Sequence, residues 1–246
     1  MLEKLLFIFG LVVLGVFACC FNTQATEPEE AISGTSFVNT DNYANRTLSF
    51  YYYIPQEVIK KRQNACPVLV CVPGLSGDGK QFVNNVFKNF AHKEKFVIIA
   101  PSFKFDEENF QSNSSYQYPS AWSGKALLKI IEKVERQNYI TLSKIYLFGF
   151  SAGAQFSSRF ALLWPERCRA CAVHAAGGYT MPERKIDVIF FVTVCRGDSR
   201  RLSKAEKFYD TARRLGIKCD YKEYPGSHEL PNQQTYDSLA FFRKLN

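Results

Sequence analysis

Short apolar runs, each closed by glycine, proline or polar residues, recur along the chain from about residue 47. Runs of this length and composition are typical of buried β-strands. The predicted strands are TLSFYYYIP (47–55), CPVLVCVPG (66–74), KFVIIAPSF (95–103), KIYLFGF (144–150), CRACAVHAAGG (168–178) and DVIFFVTVCRG (187–197). A more polar run, CDYKEYPG (219–226), is predicted to form a strand near an edge of the sheet.

Between these runs, apolar residues recur at the spacing of one helical face. The predicted helices cover residues 79–93, 121–137, 152–164, 202–215 and 234–245. Strands that alternate with helices predict βαβ units, and therefore an α/β fold with a mostly parallel central sheet and helices on both faces. We expect one such domain over residues 47–246.

The first 25 residues have a different pattern, in which an early lysine precedes an uncharged apolar run over residues 5–21. This order is typical of a secretory signal, and the sequence TQA fits cleavage after Ala25. Alternatively, VFAC resembles a lipoprotein box, which would place a lipid on Cys19. An uncleaved membrane anchor stays open, because about 17 apolar residues are near the lower limit for spanning a bilayer.

We therefore expect an exported protein that is periplasmic, secreted or lipid-anchored to the cell envelope, with a possible membrane tether at the N-terminus. Residues 26–46 are polar and are predicted to form a lead-in to the domain. Export permits disulfides among the six cysteines of the domain, but their pairing cannot be deduced from sequence. The spacing of Cys168 and Cys171 resembles a redox or metal half-site. Because no second such pair accompanies it, a structural role is favoured.

The formal net charge of +8 is distributed along the chain without a block of like charges. Basic and acidic residues are mixed even in the densest stretch, residues 183–223, so the charge pattern does not favour a nucleic-acid partner. It fits an anionic substrate or an envelope surface equally well. The sequence does not indicate an oligomeric state.

Ser151 lies in the pentapeptide Gly149-Phe150-Ser151-Ala152-Gly153, directly after a predicted strand and directly before a predicted helix. In this context G-x-S-x-G indicates a nucleophile elbow, a strained turn whose flanking positions must lack bulk. Gly149 and Gly153 meet that requirement. The start of the helix offers unpaired N–H groups to a developing oxyanion, and the N–H of Ala152 is the nearest of them.

A serine nucleophile needs a base, and the chain has three histidines. His92 lies at the end of a predicted helix, where interaction with the helix terminus is the simpler interpretation. His174 lies inside an apolar strand and is interpreted as a core residue. His228 follows the last predicted strand in a loop, from which its side chain can reach Ser151. We therefore predict that His228 is the base.

The acid that orients the base is predicted from the position of each aspartate relative to the strands. Asp187 and Asp220 fall at the beginnings of strands, at the wrong edge of a parallel sheet. Asp198 follows the carboxyl end of a strand, which favours it over an interpretation as a helix cap. The chain order Ser151, Asp198, His228 is the order found in α/β-hydrolases.

Two loops complete the predicted site. The loop VPGLSGDG (72–79) follows the first core strand, and the N–H of Leu75 is predicted to be the second oxyanion donor. The polar and aromatic loop over residues 104–120 follows another strand and is predicted to border the site, because ligands bind at the carboxyl ends of parallel strands. The stretch NFQSNSSYQYPSAW (109–122) offers four aromatic residues that are predicted to stack on a sugar or phenolic ring, namely Phe110, Tyr116, Tyr118 and Trp122.

These motifs together resemble the α/β-hydrolase superfamily, in particular exported esterases related to polyhydroxybutyrate depolymerases, feruloyl esterases and dienelactone-hydrolase-like proteins. The most distinctive stretch is IYLFGFSAGAQFSSRFALLWPERCRACAVHAAGG, supported by VCVPGLSGDG, FVIIAPSF, FFVTVCRGDSRR and YPGSHELP. The resemblance implies that Ser151 is the nucleophile, His228 the base and Asp198 the acid, with Leu75 and Ala152 as oxyanion donors. The family usually has His-Gly in the oxyanion loop, where this chain has Pro73-Gly74.

By this resemblance the protein is a serine carboxylic-ester hydrolase that forms an acyl-enzyme and needs no metal or organic cofactor. Its expected substrates are acyl or feruloyl esters of polysaccharides, or small polyesters. Two alternatives stay open, a peptidase similar to prolyl oligopeptidase and an inactive binding protein with a hydrolase fold. The chain is too short for the propeller that such peptidases usually carry, and an inactive binding protein has no need of all three triad residues. A lipid-anchored structural protein would explain only the N-terminus.

Overall fold

A computed structural model describes residues 32–40, 46–61, 64–75, 77–103 and 115–246. Its strands are β1 (Ile32–Thr40), β2 (Arg46–Ile54), β3 (Cys66–Val72), β4 (Val97–Ser102), β5 (Leu142–Phe150), β6 (Cys168–His174), β7 (Ile189–Cys195) and β8 (Cys219–Tyr224). They form one sheet in the order β1-β2-β4-β3-β5-β6-β7-β8. β2 is antiparallel to β1 and β4, and the other neighbouring strands are parallel. The predicted α/β fold is confirmed, and β8 lies at an edge as expected.

Helices lie between most of the strands that follow one another in the chain, although none lies in the described segment between β6 and β7. They are α1 (Gln56–Lys60), α2 (Asn85–Glu94), α3 (Ser123–Asn138), α4 (Ala152–Leu163), α5 (Ser199–Arg214) and α6 (Asn232–Arg243), and a short 3₁₀ helix covers Gly79–Phe82. Apart from the short α1, each helix overlaps a predicted one. Each begins and ends within a few residues of the prediction, except that the 3₁₀ helix and α2 together occupy the predicted stretch 79–93.

The sheet separates two apolar layers because successive side chains of a strand point to opposite faces. On one face, Val68 and Val70 of β3 pack in the layer that contains α3, α4 and α5. On the other face, Leu69 and Cys71 of the same strand pack in the layer that contains α2 and α6. Helices therefore cover both faces, as the sequence predicted.

The structure differs from the predicted polar lead-in, because β1 lies within residues 26–46. β1 pairs with β2 along its whole length, from Ile32 opposite Ile54 to Thr40 opposite Arg46. Ladder hydrogen bonds between backbone groups form whatever the polarity of the side chains. A polar sequence such as ISGTSFVNT can therefore form a strand without the apolar pattern that identifies one.

The predicted secretory signal, the cleavage after Ala25 and the lipidation of Cys19 all lie outside the described residues. Among the residues that the structure does describe, no helix combines the length and hydropathy needed to cross a bilayer.

The six cysteines of the domain are free thiols. Five are buried, and Cys219 is partly buried. Burial raises the pKa of the Cys66 thiol to about 11 and that of Cys219 to about 12, because a thiolate is poorly solvated in an apolar environment. Cys168 and Cys171 have pKa values raised by the same cause. A protonated thiol is a poor nucleophile and metal ligand, in line with the structural role favoured above.

His174 is a core residue, as the sequence predicted. It is fully buried, its Nδ1 lies 2.6 Å from the Thr193 hydroxyl, and its Nε2 lies 3.1 Å from the Ser238 hydroxyl. Burial lowers the pKa of His174 to about 3, because the interior disfavours the imidazolium. The imidazole is therefore neutral in the folded protein.

Because the His174 imidazole is buried in its neutral form, we predict that the folded protein becomes less stable as the pH falls. In the unfolded chain the pKa of a histidine is about 6.5, so between pH 6.5 and about 3 the unfolded state binds one more proton than the folded state. The free energy of unfolding should therefore decrease with falling pH, by up to about 1.4 kcal/mol per pH unit from this group. Urea unfolding at several pH values measures this slope. His174→Gln should make it shallower, and an unchanged slope would contradict the assignment.

Candidate active site

Ser151 occupies a strained corner between β5 and α4. Its φ is 54° and its ψ is −113°, a conformation that costs a non-glycine residue about 1–3 kcal/mol and is found mostly at functional sites. The Ser151 N–H donates to the carbonyl of His174 at 2.8 Å, and the Ser151 carbonyl accepts from the N–H of Gln155 at 3.2 Å. These two bonds hold the corner, which has the geometry predicted for a nucleophile elbow.

The glycines on either side of Ser151 allow the backbone to pack closely. A Cβ at Gly153 would lie 2.1 Å from the carbonyl oxygen of Val72 and 2.4 Å from that of Pro73. A Cβ at Gly149 would lie 2.5 Å from the carbonyl oxygen of Gly153. The clashing atoms belong to the backbone, which cannot rotate away. Both positions therefore require glycine, as the sequence predicted.

His228 connects Ser151 to Asp198 through a continuous chain of hydrogen bonds. Its Nε2 lies 3.0 Å from Oγ of Ser151, and its Nδ1 lies 2.7 Å from Oδ2 of Asp198. An ionised carboxylate only accepts hydrogen bonds, so Nδ1 is the protonated nitrogen and Nε2 is free to accept from the serine hydroxyl. The three residues predicted from sequence are thus brought together in the arrangement of a Ser-His-Asp triad.

Two neighbouring loops carry Asp198 and His228 to this point. Because β7 and β8 are parallel, the loops that follow them leave the same edge of the sheet. The Gly197 N–H donates to the carbonyl of Gly226 at 2.9 Å, which ties the two loops together next to both side chains. The side chain of Asp198 is only 4% exposed, whereas that of His228 is 34% exposed. The acid is therefore enclosed, and the base faces the open side of the site.

Arg201 contacts the acid and was not predicted as a site residue. Its Nη1 lies 3.1 Å from Oδ1 and 3.4 Å from Oδ2 of Asp198. Asp198 precedes α5 and Arg201 lies in its first turn, a spacing of three residues that places both side chains on one side of the helix. This spacing was the available sequence signal. The guanidinium holds the carboxylate in place and partly neutralises it.

Phe150 positions the base from the other side. Its ring stacks on the His228 imidazole, with the centroids 5.0 Å apart and the planes inclined by 20°. The residue that precedes the serine in the chain thus limits how far the imidazole can swing. The sequence placed Phe150 in the elbow motif but did not indicate its contact with His228.

The predicted oxyanion donors lie beside Ser151. Ala152 is the first residue of α4, so its N–H has no acceptor within the helix. A Cβ on Gly74 would lie 3.5 Å from Cβ of Ser151, which places the loop that carries Leu75 against the serine. Neither N–H donates a backbone hydrogen bond to any residue in the described segments. Both amides are therefore available to an oxygen at the site.

The remaining histidine and aspartates are remote from this chain of hydrogen bonds. His92 contacts the Tyr53 hydroxyl through Nε2 and Glu57 through Nδ1 at 3.1 Å, and so has partners of its own besides the helix terminus that the sequence indicated. Asp187 precedes β7, and Asp220 is the second residue of β8. Both aspartates lie at the amino ends of strands, as the sequence predicted.

The predicted stacking surface is largely buried. Tyr116 and Trp122 are 2% and 4% exposed and pack on Phe103, with ring centroids 5.3 Å and 5.8 Å apart. Their rings belong to the core, so they present no face to a substrate. Tyr118 is partly exposed, but the Arg159 guanidinium covers one face of its ring at 4.0 Å. Phe110 lies outside the described residues.

Cofactor chemistry was not expected from the sequence. Within the described ranges, no group of three or more His, Cys, Asp or Glu side chains is arranged to hold a metal ion.

Comparison with known proteins identifies the family to which the chain belongs. The family model described as alpha/beta hydrolase fold matches residues 67–190, which is half of the chain. The match includes β3, the elbow and β6. No curated protein matches the sequence.

Solved structures of esterases share the fold at low sequence identity. A ferulic acid esterase aligns with a TM-score of 0.65 and 13% identity, over 88% of this chain and 97% of that one. The poly(3-hydroxybutyrate) depolymerase LpqC from Bordetella parapertussis aligns with a TM-score of 0.65 and 18% identity, over 87% and 90%.

A third solved structure extends the comparison. A putative dienelactone hydrolase from Klebsiella pneumoniae aligns with a TM-score of 0.60 and 11% identity, over 87% of this chain and 98% of that one. At these identities the likeness establishes the fold alone. The three structures carry the names of the three groups that the sequence motifs resemble. Together with the family match, they show that this chain belongs to the α/β-hydrolase fold family.

Proposed function

We propose that this protein is a serine hydrolase of carboxylic esters in which Ser151, His228 and Asp198 act as the catalytic triad. The hydrogen-bond chain from Oγ of Ser151 to Oδ2 of Asp198, with distances of 3.0 and 2.7 Å, is the observation that carries the proposal. Three further features support it, namely the strained elbow, the enclosed acid and the two free amides beside the serine. An inactive binding protein would need none of these features.

The geometry supports a two-step reaction. The Ser151 hydroxyl attacks the ester carbonyl while Nε2 of His228 takes its proton, and Asp198 stabilises the imidazolium that forms. The Ala152 and Leu75 amides donate hydrogen bonds to the oxyanion. The tetrahedral intermediate expels the alcohol with the proton from His228, which leaves an acyl-enzyme. Water, deprotonated by His228, then attacks the acyl-enzyme and releases the acid and free Ser151.

We propose acyl or feruloyl esters of polysaccharides, or small polyesters, as the substrate class. The printed names of two structural neighbours, a ferulic acid esterase and a poly(3-hydroxybutyrate) depolymerase, support this choice. Export from the cytoplasm is part of the proposal, because the first 25 residues have the pattern of a secretory signal. A peptidase similar to prolyl oligopeptidase is the second candidate by fold, but no feature of the described site favours an amide over an ester.

Labelling with a fluorophosphonate probe tests the proposed function. A fluorophosphonate phosphonylates a serine that an adjacent base has activated, so the wild-type protein should be labelled to near one equivalent and Ser151→Ala should not be labelled. The matched control is Ser158→Ala, which changes a buried serine of α4 that donates to the Gln155 carbonyl. This variant should label as the wild type does. A folded wild-type protein that stays unlabelled would contradict the proposal.

A further inference from the structure

A pocket beside α4 is separate from the triad and has an unusual lining. Its volume is about 320 Å³, near the lower end for small-molecule sites. Its lining is largely apolar and includes Leu162, Leu163, Met181, Pro182 and Ile186. Tyr118, two arginines (Arg159 and Arg184) and one glutamate (Glu183) also line it. Most of the surface therefore suits a hydrocarbon body. Arg184 and Glu183 are exposed at the surface, so Arg159 is the buried cation that an anion in the pocket would meet.

Arg159 is a buried cation without a carboxylate partner in the described part of the chain. The residue is 8% exposed, and burial lowers the pKa of its guanidinium. Nε donates to the Thr180 hydroxyl at 3.3 Å, and Nη1 donates to the carbonyl of Gln117 at 2.9 Å. The Tyr118 ring covers one face of the guanidinium. These partners are neutral, so they satisfy hydrogen bonds without balancing the charge.

Some N–H donors of the Arg159 guanidinium are left for a ligand. An arginine has five N–H donors, and two are used by Thr180 and Gln117. The Tyr118 side chain also interacts with the guanidinium, so at most two of its donors are left for a ligand. A guanidinium with two adjacent free N–H groups accepts a carboxylate through two parallel hydrogen bonds. A buried positive charge without an anionic partner is costly, so binding such a group would relieve that cost.

We propose that this pocket binds a small organic carboxylate, whose anionic head pairs with Arg159 and whose apolar body lies against Leu162, Leu163 and Met181. The apolar lining favours an organic acid over inorganic phosphate. Ser151 and Arg159 are eight residues apart on α4, which is about 12 Å along the helix axis. The pocket lining includes none of the triad residues. The site is therefore additional to the triad and does not depend on the proposed hydrolase activity.

The sequence provides a specific reporter for this pocket. The chain contains two methionines, Met1 and Met181, and only Met181 lines the pocket. Protein labelled with ¹³C at the methionine methyl groups should give one pocket signal, which Met181→Leu identifies by its loss. Octanoate is the probe, and octanamide is its neutral counterpart of the same shape.

Octanoate should shift the Met181 signal saturably, with a dissociation constant below about 1 mM. Octanamide should bind at least about tenfold more weakly, and phosphate at the same concentration should not shift the signal. Arg159→Lys keeps the charge but loses the fork, so it should weaken octanoate binding at least about tenfold. Ser151→Ala should bind octanoate as the wild type does.

A second pair of variants tests the charge without touching Arg159, whose hydrogen bonds to Thr180 and Gln117 hold the surrounding loops together. Leu163 is exposed at the end of α4, so Leu163→Glu and Leu163→Gln differ only in charge at the pocket. The glutamate variant should bind octanoate more weakly than the glutamine variant, and added salt should reduce the difference.

Any of four results would overturn the proposal. One is the absence of a saturable Met181 shift, and another is equal affinity for octanoate and octanamide. The third is unchanged octanoate affinity in both Arg159→Lys and Leu163→Glu. If phosphate shifts Met181 as strongly as octanoate does, the assignment to an organic acid is wrong.

Discussion

Replacing His228 with alanine is expected to lower kcat/KM for ester hydrolysis by on the order of 10⁴- to 10⁶-fold. His228 is the only histidine whose imidazole contacts the Ser151 hydroxyl, so its loss leaves this hydroxyl without a base. The oxyanion amides and the substrate-binding surface stay in place, which accounts for residual activity. Initial rates on a panel of p-nitrophenyl, acetyl-sugar and feruloyl esters measure the loss.

His92→Ala is the matched control, because it also removes an imidazole but at a site that contacts Tyr53 and Glu57. Its kcat/KM should equal that of the wild type. Asp198→Asn should lose less activity than His228→Ala, because the base is still present but is held in the wrong orientation. A rate for Asp198→Asn close to that of the wild type would show that another residue is the acid.

Replacing Gly153 with alanine is expected to lower the free energy of unfolding by about 3 kcal/mol or more. The added methyl group would lie 2.1 Å from the Val72 carbonyl oxygen, so α4 or β3 must move. The same movement separates Ser151 from the oxyanion loop, and activity should fall with stability. Urea unfolding measures the first effect and ester hydrolysis the second.

Gly178→Ala provides the comparison for this effect. At Gly178 the new methyl group would meet side-chain atoms of Gln155 and Arg159 at 3.3 and 3.7 Å, and both side chains are able to adjust. The change in the free energy of unfolding should stay below about 1 kcal/mol. If Gly153→Ala were equally mild, close packing would not be the reason for glycine at the elbow.

The triad could be predicted because the position of each candidate residue relative to the strands leaves few possible histidines and aspartates. The parallel sheet places functional residues at the carboxyl ends of its strands, and only three histidines were available. Ser151, Asp198 and His228 each follow a strand, and the structure brings their side chains into hydrogen-bond contact. The apolar runs that predict the strands therefore also indicated where the site lies, without any knowledge of the substrate.

Other features depend on contacts between separate parts of the chain, which the local sequence pattern does not indicate. Tyr116 and Trp122 occur in a polar stretch, which indicated exposure, but Phe103 from the preceding strand region packs against both rings. Arg201 lies in a stretch where basic and acidic residues are mixed, and this pattern gave it no role at the site. Its contact with Asp198 depends on where α5 begins, because Asp198 directly precedes the helix and Arg201 lies in its first turn. Strand β1 gains its stability from pairing with β2, which its own residues do not reveal.

The order of the strands in the sheet has a consequence for how the protein acquires its activity. β5, β6, β7 and β8 are neighbours in the sheet in the same sequence as in the chain, so their pairing closes short loops. β3 must instead pair with β5 across a long intervening segment, with Cys66 opposite Leu142. Contacts of large sequence separation form slowly. We therefore expect the triad to assemble on the locally connected half of the sheet before β3 pairs with β5. Recovery of turnover during refolding would then report the pairing of β3, which carries the oxyanion loop to Ser151.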